Sequence, residues 1–147
     1  MAHNCTFWDI DSGVDDPEKF FRLLPSLFPA ATTLFIEGTS ISPNVLLCYE
    51  RHKQEGPYLP ARQTIFPSSK RIRCATSRLL WEELAQLGAE HAVPELLDHL
   101  CLYQDSRCIL FWHDAFMNAI LLDETVPEAA VADLASAFQV PYRRLKS

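Results

Sequence analysis

A chain of 147 residues, 48% apolar, 11% aromatic and only 22% charged, lies far from the composition of disordered segments and is long enough to bury roughly two-thirds of its unfolded surface around one core. The formal charge of −6 disfavours indiscriminate attachment to nucleic acid or anionic membrane. Five cysteines, Cys5, Cys48, Cys74, Cys101 and Cys108, are widely spaced with no C-x-x-C pair, which argues against a disulfide framework or a zinc ribbon and for buried thiols in a reducing compartment.

The first residues carry neither a basic nor an apolar leader pattern, and no run approaches the roughly 18 apolar residues of a membrane span. A single cytoplasmic domain over residues 1–147 is expected. Cys5 to Ile10 has the character of a first strand, followed by the polar loop Asp11 to Asp16. Asp16 before Pro17 and Glu18 is a helix N-terminus, and Phe20, Leu24, Leu27 and Phe28 keep helical spacing, with Pro25 expected to kink or divide the element. Thr32 to Glu37 is β-branched and apolar, as a second strand is, and Gly38 closes it. Ser42-Pro43 opens a second helix with Val45, Cys48, Tyr49 and His52 along one face, and Gly56-Pro57 ends it. The proline-rich stretch to Ser69 reads as a loop with a short edge strand around Thr64 to Phe66.

Lys70 to Ala75 alternates as a half-exposed strand does. Ser77 caps a helix with Leu80, Leu84 and Leu87 inside and Gly88 placed for its C-cap, and Pro94 opens another in which Leu97, Leu100 and Cys101 share a side. Cys108 to Glu124 is the densest apolar run, broken by His113, Asp114 and Asn118, and is expected to form two core strands joined by a polar turn. Thr125 and Glu128 then form a capping-box pattern for a final amphipathic helix bearing Val131, Leu134, Ala135 and Phe138; Pro141 stops it, leaving a basic tail from Tyr142. The order predicts an α+β domain, a mixed sheet of about four to five strands with helices packed on it, a hairpin in the C-terminal half and a last amphipathic helix.

Three polar constellations stand out. Asp9, Asp11, Gly13, Asp15 and Asp16 form D-x-D-x-G-x-D-D, which resembles the N-terminal motif of nucleoside hydrolases, and His113-Asp114 is similar to a histidine-aspartate pair of that family. The resemblance implies a calcium ion held by the aspartates and activating water for attack on a ribosyl carbon. Local rules account for the same acids as helix cap and turn residues. Trp112, His113, Asp114 and Phe116 form the second group. Adjacent strand residues face opposite ways, so His113 and Asp114 meet only if the turn brings them together; an aromatic anchor flanked by polar groups is also the make-up of a binding hot spot. The third, Arg62, Lys70, Arg71, Arg73 and Arg78, reads as the charged face of an edge strand or as an anion-binding patch.

The chain has no phosphate-binding glycine loop, no G-x-S-x-G and no H-E-x-x-H, and its five histidines show no metal-ligand spacing with cysteine. The expectation is a non-catalytic protein-binding module of the kind met among bacterial immunity proteins, without cofactor or metal. Its partner is a protein with a basic face, met through Trp112, His113, Asp114 and Phe116 or through Asp9 and Asp11. The alternatives are a divalent-metal-dependent hydrolase using Asp9, Asp11, Asp15 and Asp16, and an anion or nucleic-acid binder using Arg62 to Arg78.

Overall fold

The structure is a computed structural model that describes residues 6–56, 59–65 and 68–146. Its strands are β1 (Thr6–Ile10), β2 (Thr33–Gly38), β3 (Lys70–Ala75), β4 (His99–Gln104), β5 (Arg107–Trp112), β6 (Ile120–Asp123) and β7 (Tyr142–Lys146). The helices are α1 (Pro17–Leu27), α2 (Pro43–Arg51), α3 (Arg78–Glu90), α4 (Val93–Leu96) and α5 (Glu128–Ala137). All seven strands join one sheet in the order β3-β2-β4-β5-β6-β1-β7, and every pairing is antiparallel.

The α+β class holds, with more strands than expected and no parallel pairing. Alternating strands and helices suggested a mixed sheet, but the long segment after α2 returns the chain to the end where β2 finished, so that Lys70 pairs with Gly38. On the way it runs beside β3, where the Gln54 N–H donates to the Arg73 carbonyl at 2.9 Å, and then crosses the sheet. A strand that starts beside its predecessor's end has to run antiparallel to it.

Two strands were concealed. β4 lies where helical spacing of Leu97, Leu100 and Cys101 was expected to continue from Pro94; the helix is one turn long, and a run buried on both faces satisfies either period. β7 is the basic tail, which pairs with β1 along its whole length. The Cys108–Glu124 expectation holds in outline, because β5 and β6 pair across the turn between them. The described part of the Thr64–Phe66 segment is not strand, and Cys5 and Phe66 fall outside the described residues.

Helix ends follow local chemistry with several departures. Ser42 holds the N-cap position of α2 without a side-chain hydrogen bond, and that helix stops at Arg51, short of Gly56-Pro57. Asp16 caps α1 as expected, accepting from the Lys19 N–H at 3.2 Å, and Ser77 caps α3 through the Leu80 N–H at 3.0 Å. α1 runs through Pro25 and ends two residues later, so only its last turn lacks a donor. Gly88 is not a C-cap but an interior contact point: a Cβ there would stand 3.0 Å from Pro17 and Glu18, which lets α1 and α3 pack closely. Thr125 bonds to Asp123 instead of capping α5, which starts after Pro127.

The core lies on one side of the sheet. Ile10, Leu34, Ile36, Ile72, Leu100, Leu102, Leu110, Trp112, Ile120 and Leu122 form one buried cluster with the inward residues of all five helices. Its centre is aromatic: Phe20 packs on Phe21, Trp112 and Phe116 with ring centroids 4.9–5.6 Å apart, and burial of each such side chain contributes roughly 1.5–3 kcal/mol. By strand alternation the opposite face displays Phe7, Asp9, Phe35, Glu37, Arg71, Arg73, His99, Cys101, Phe111, Leu121 and Arg143. Among the described residues the helices all pack on the core side, the loop 59–65 lies over part of the opposite face, and Gly56 stands against the Arg73 guanidinium.

Candidate functional site

The open face has its polar concentration where β2 ends beside the start of β4. Register places Glu37 directly opposite His99 on one flank and Arg71 on the other. Burying a carboxylate there demands donors, and the loop supplies them. Glu37 Oε2 accepts from the N–H groups of Gln63 and Thr64 at 3.1 and 3.0 Å and from the Thr64 hydroxyl at 3.1 Å. The Arg71 guanidinium stands 3.9 Å from Oε1, which has no hydrogen-bond partner among the described residues. A cavity of about 20 Å³ next to it, lined by Glu37, Gln63, Arg71 and His99, has room for about one water.

His99 completes the network and its tautomer is fixed by it. The Asp114 N–H donates to His99 Nδ1 at 3.0 Å, so that nitrogen is the acceptor; Nε2 then carries the proton and faces the Thr64 hydroxyl at 3.0 Å. The His113 ring stacks on His99 with centroids 4.3 Å apart and planes 7° from parallel. His113 Nδ1 meets Gln63 Oε1 at 2.6 Å and its Nε2 meets Asp114 Oδ2 at 3.4 Å. Burial, reinforced by the neighbouring His113, pushes the His99 pKa below the usual histidine value, against the opposing pull of Glu37, Asp114 and Asp98. His99, His113 and Asp114 present ligand atoms within 4.8 Å of one another, but both His99 nitrogens are already committed. A metal there would have to displace either the Asp114 N–H from Nδ1 or the Thr64 hydroxyl from Nε2, and a general base would lack a free lone pair. The arrangement is a clamp that fastens residues 59–65 to the sheet.

The residues singled out from sequence are distributed unevenly around this site. His113 and Asp114 belong to it, because Asp114 takes a positive φ of 50° and the turn swings the two side chains together. Trp112 and Phe116 do not: they are 0% and 7% exposed, and the Trp112 indole donates to the Asn118 carbonyl at 2.9 Å beneath α1. Asp9 lies on the open face opposite Arg143, and Asp11 accepts from the Ser12 N–H at 2.9 Å, both beside a shallow hollow of about 310 Å³ with Pro141 and Tyr142. Asp16 is occupied as a cap. Among the described residues the four aspartates do not gather as a three-ligand group. The basic residues are engaged one by one: Arg71 near Glu37, Arg73 over the Phe35 ring at 5.6 Å, Arg62 on Ser69, and Arg78 with Glu82 at 3.6 Å.

Sequence reasoning passed over Glu37, Gln63, Thr64 and His99. One signal was available, a glutamate ending a β-branched, apolar strand. A second group corrects the expectation that no histidine stands at metal-ligand spacing from a cysteine: at the junction of α2 and α3, Cys48 and His52, four residues apart, converge with Glu83. Cys101 and Cys108 are neighbours across the bulge between β4 and β5; the Cys108 thiol donates to the Leu110 carbonyl at 3.4 Å, and the interaction between the two thiols raises the Cys101 pKa and lowers that of Cys108. The four described cysteines are free thiols. No helix among the described residues is long and apolar enough to cross a membrane. No protein-family model, curated protein or solved structure matches the chain.

Proposed function

We propose that the protein is a non-catalytic module that binds another protein through the helix-free face of its sheet. The observation carrying this reading is the apolar strip that register assembles there. Phe111 pairs with Leu121 and with Cys101 beside Phe35, and Phe7 pairs with Leu145; Phe7, Phe111, Leu121 and Leu145 keep part of their surface in water. Charged residues rim the strip. Arg107 holds Asp123 through bonds of 2.7 and 3.1 Å, while Asp9, Arg143, Arg73 and His113 complete the border. An apolar centre with a polar rim is interface anatomy.

The net charge of −6 favours a partner with a basic face. Toxin neutralisation, in which a small acidic chain covers the working face of a basic enzyme, is the member of this class that the charge and size fit. The binding surface differs from the sequence expectation: His113, Asp114 and Asp9 border the strip, whereas Trp112 and Phe116 act beneath it as packing.

The test is affinity for the partner isolated from the native cell, compared between the wild type and Phe111→Ala, with folding verified by circular dichroism. Loss of a central aromatic costs about 2 kcal/mol, roughly thirtyfold in Kd, and hydrogen exchange slows over β4 to β6 in the complex. Unchanged affinity, or protection confined to α1 and α3, overturns the assignment.

A further inference from the structure

Away from the open face, the most chemically loaded point is where α2 meets α3. Cys48 and His52 stand four residues apart at the end of α2 and therefore on one face, and Glu83 reaches them from α3. Glu83 Oε2 accepts from the Cys48 thiol at 3.2 Å and from Arg51 Nη2 at 2.8 Å, and it meets His52 Nε2 at 3.2 Å. One ligand atom from each of Cys48, His52 and Glu83 lies within 4.8 Å of the others.

That spacing suits a metal. A tetrahedral zinc ion with its usual bond lengths sets nitrogen and oxygen ligands about 3.3 Å apart and sulfur and oxygen ligands about 3.5 Å apart. The observed separations are within a few tenths of an ångström. A plainer account is a carboxylate satisfied by an arginine and two hydrogen bonds. Two features weigh against that account as the whole explanation. All three donors converge on a single oxygen, and the Arg51 side chain is 58% exposed, so the guanidinium is a replaceable counter-ion. The thiol itself is buried, while His52 and Glu83 open partly to solvent, which provides an entry path.

We propose that Cys48, His52 and Glu83 bind a thiophilic divalent cation, zinc by the character of the donor set. Binding releases the Cys48 proton to solvent, leaves His52 as its Nδ1–H tautomer with the Nε2 lone pair on the metal, and displaces Arg51 from Glu83. Three protein ligands leave a fourth position for water. The ion would tie α2 to α3 and so stiffen the helix layer behind the sheet.

The experiment uses metal-free, reduced protein titrated with cobalt(II) and then zinc. The expected result is one equivalent bound, with a thiolate-to-cobalt charge-transfer band and the intense visible bands of a four-coordinate ion, and full displacement by zinc. Zinc at a hundredfold excess over its Kd raises Tm by roughly 5 °C or more. His52→Gln and Glu83→Gln, at partly exposed positions, each weaken binding at least tenfold, while Arg51→Gln tightens it. Cys48→Ser removes the charge-transfer band. If that variant unfolds, the His52 and Glu83 variants decide the matter. No band in folded wild-type protein overturns the proposal. A band that persists unchanged in His52→Gln and Glu83→Gln also overturns it, by assigning the metal to another thiol such as Cys108.

Discussion

Replacing Glu37 by alanine tests whether the polar cluster on the open face is a clamp. The carboxylate is buried, and its Oε2 takes three hydrogen bonds, two of them from consecutive backbone N–H groups. Bonds to a charged group contribute roughly 1.5–3 kcal/mol each, which bounds the gross loss at about 5–9 kcal/mol. Two effects reduce it. Removing the charge also removes its desolvation penalty, made larger by the unpartnered Oε1. Water can also reach the freed donors of Gln63 and Thr64, which are only half-buried. Arg71, a quarter exposed and 3.9 Å away, adds little in either direction. The net expectation is about 2–4 kcal/mol lost for Glu37→Ala and about half that for Glu37→Gln, which keeps an acceptor oxygen in place. Urea unfolding followed by tryptophan fluorescence measures the energy, and hydrogen exchange at residues 59–65 locates it. A loss under about 1 kcal/mol with unchanged exchange in the loop would show that Glu37 does not hold that segment.

Three further outcomes follow from the same geometry. The pKa of His99 is depressed in the folded protein relative to 6.5, so the unfolded chain takes up the proton first as pH falls. The stability is therefore whole above about pH 6.5 and is lost as pH drops through the folded value; the urea midpoint should fall between about pH 7 and pH 5, and less steeply in His99→Gln. Equal slopes for the two proteins would remove His99 from the account. Trp112→Ala should cost about 3–5 kcal/mol because the ring is enclosed by Phe20 and Phe116. A well-folded Trp112→Ala protein with only its partner affinity impaired would contradict that placement. Asp16→Ala should lower stability by about 1 kcal/mol through loss of the cap, with the same Tm in millimolar calcium as in chelator. A calcium-dependent rise in the wild type that Asp11→Ala abolishes would instead favour the calcium-dependent hydrolase reading of the aspartate run.

Local chemistry was legible wherever one rule acted alone. Asp16-Pro17 and Ser77 mark helix starts because capping needs only neighbours in sequence, and Thr32 to Glu37 reads as strand, observed as Thr33–Gly38, because a β-branched apolar run has one good use. The misreadings sit where two rules give the same pattern. Leu97, Leu100 and Cys101 match a helical face, yet Leu100 and Leu102 point into the core while His99 and Cys101 point away from it; a strand buried on both sides erases the alternation that would reveal it. The tail Tyr142–Lys146 looks like a solvated basic terminus because β7 is an edge strand, and edges are protected by such charges.

The same reasoning explains why the polar cluster was half visible. His113 and Asp114 drew notice because they interrupt an apolar run, but their neighbours His99, Thr64 and Glu37 come from 14, 49 and 76 residues before His113, and only sheet register makes them adjacent. With Leu97, Leu100 and Cys101 read as one side of a helix, His99 falls largely on the other side, where a histidine is unremarkable. Once it is placed on β4 opposite Glu37, a buried carboxylate and a buried imidazole share a rung, and burial of that pair requires a cover that donates hydrogen bonds. The loop from Leu59 to Ile65 is that cover. Its path across the end of the sheet leaves Phe111 and Leu121 partly open beyond it, so the element that seals the polar end also delimits the apolar strip of the open face.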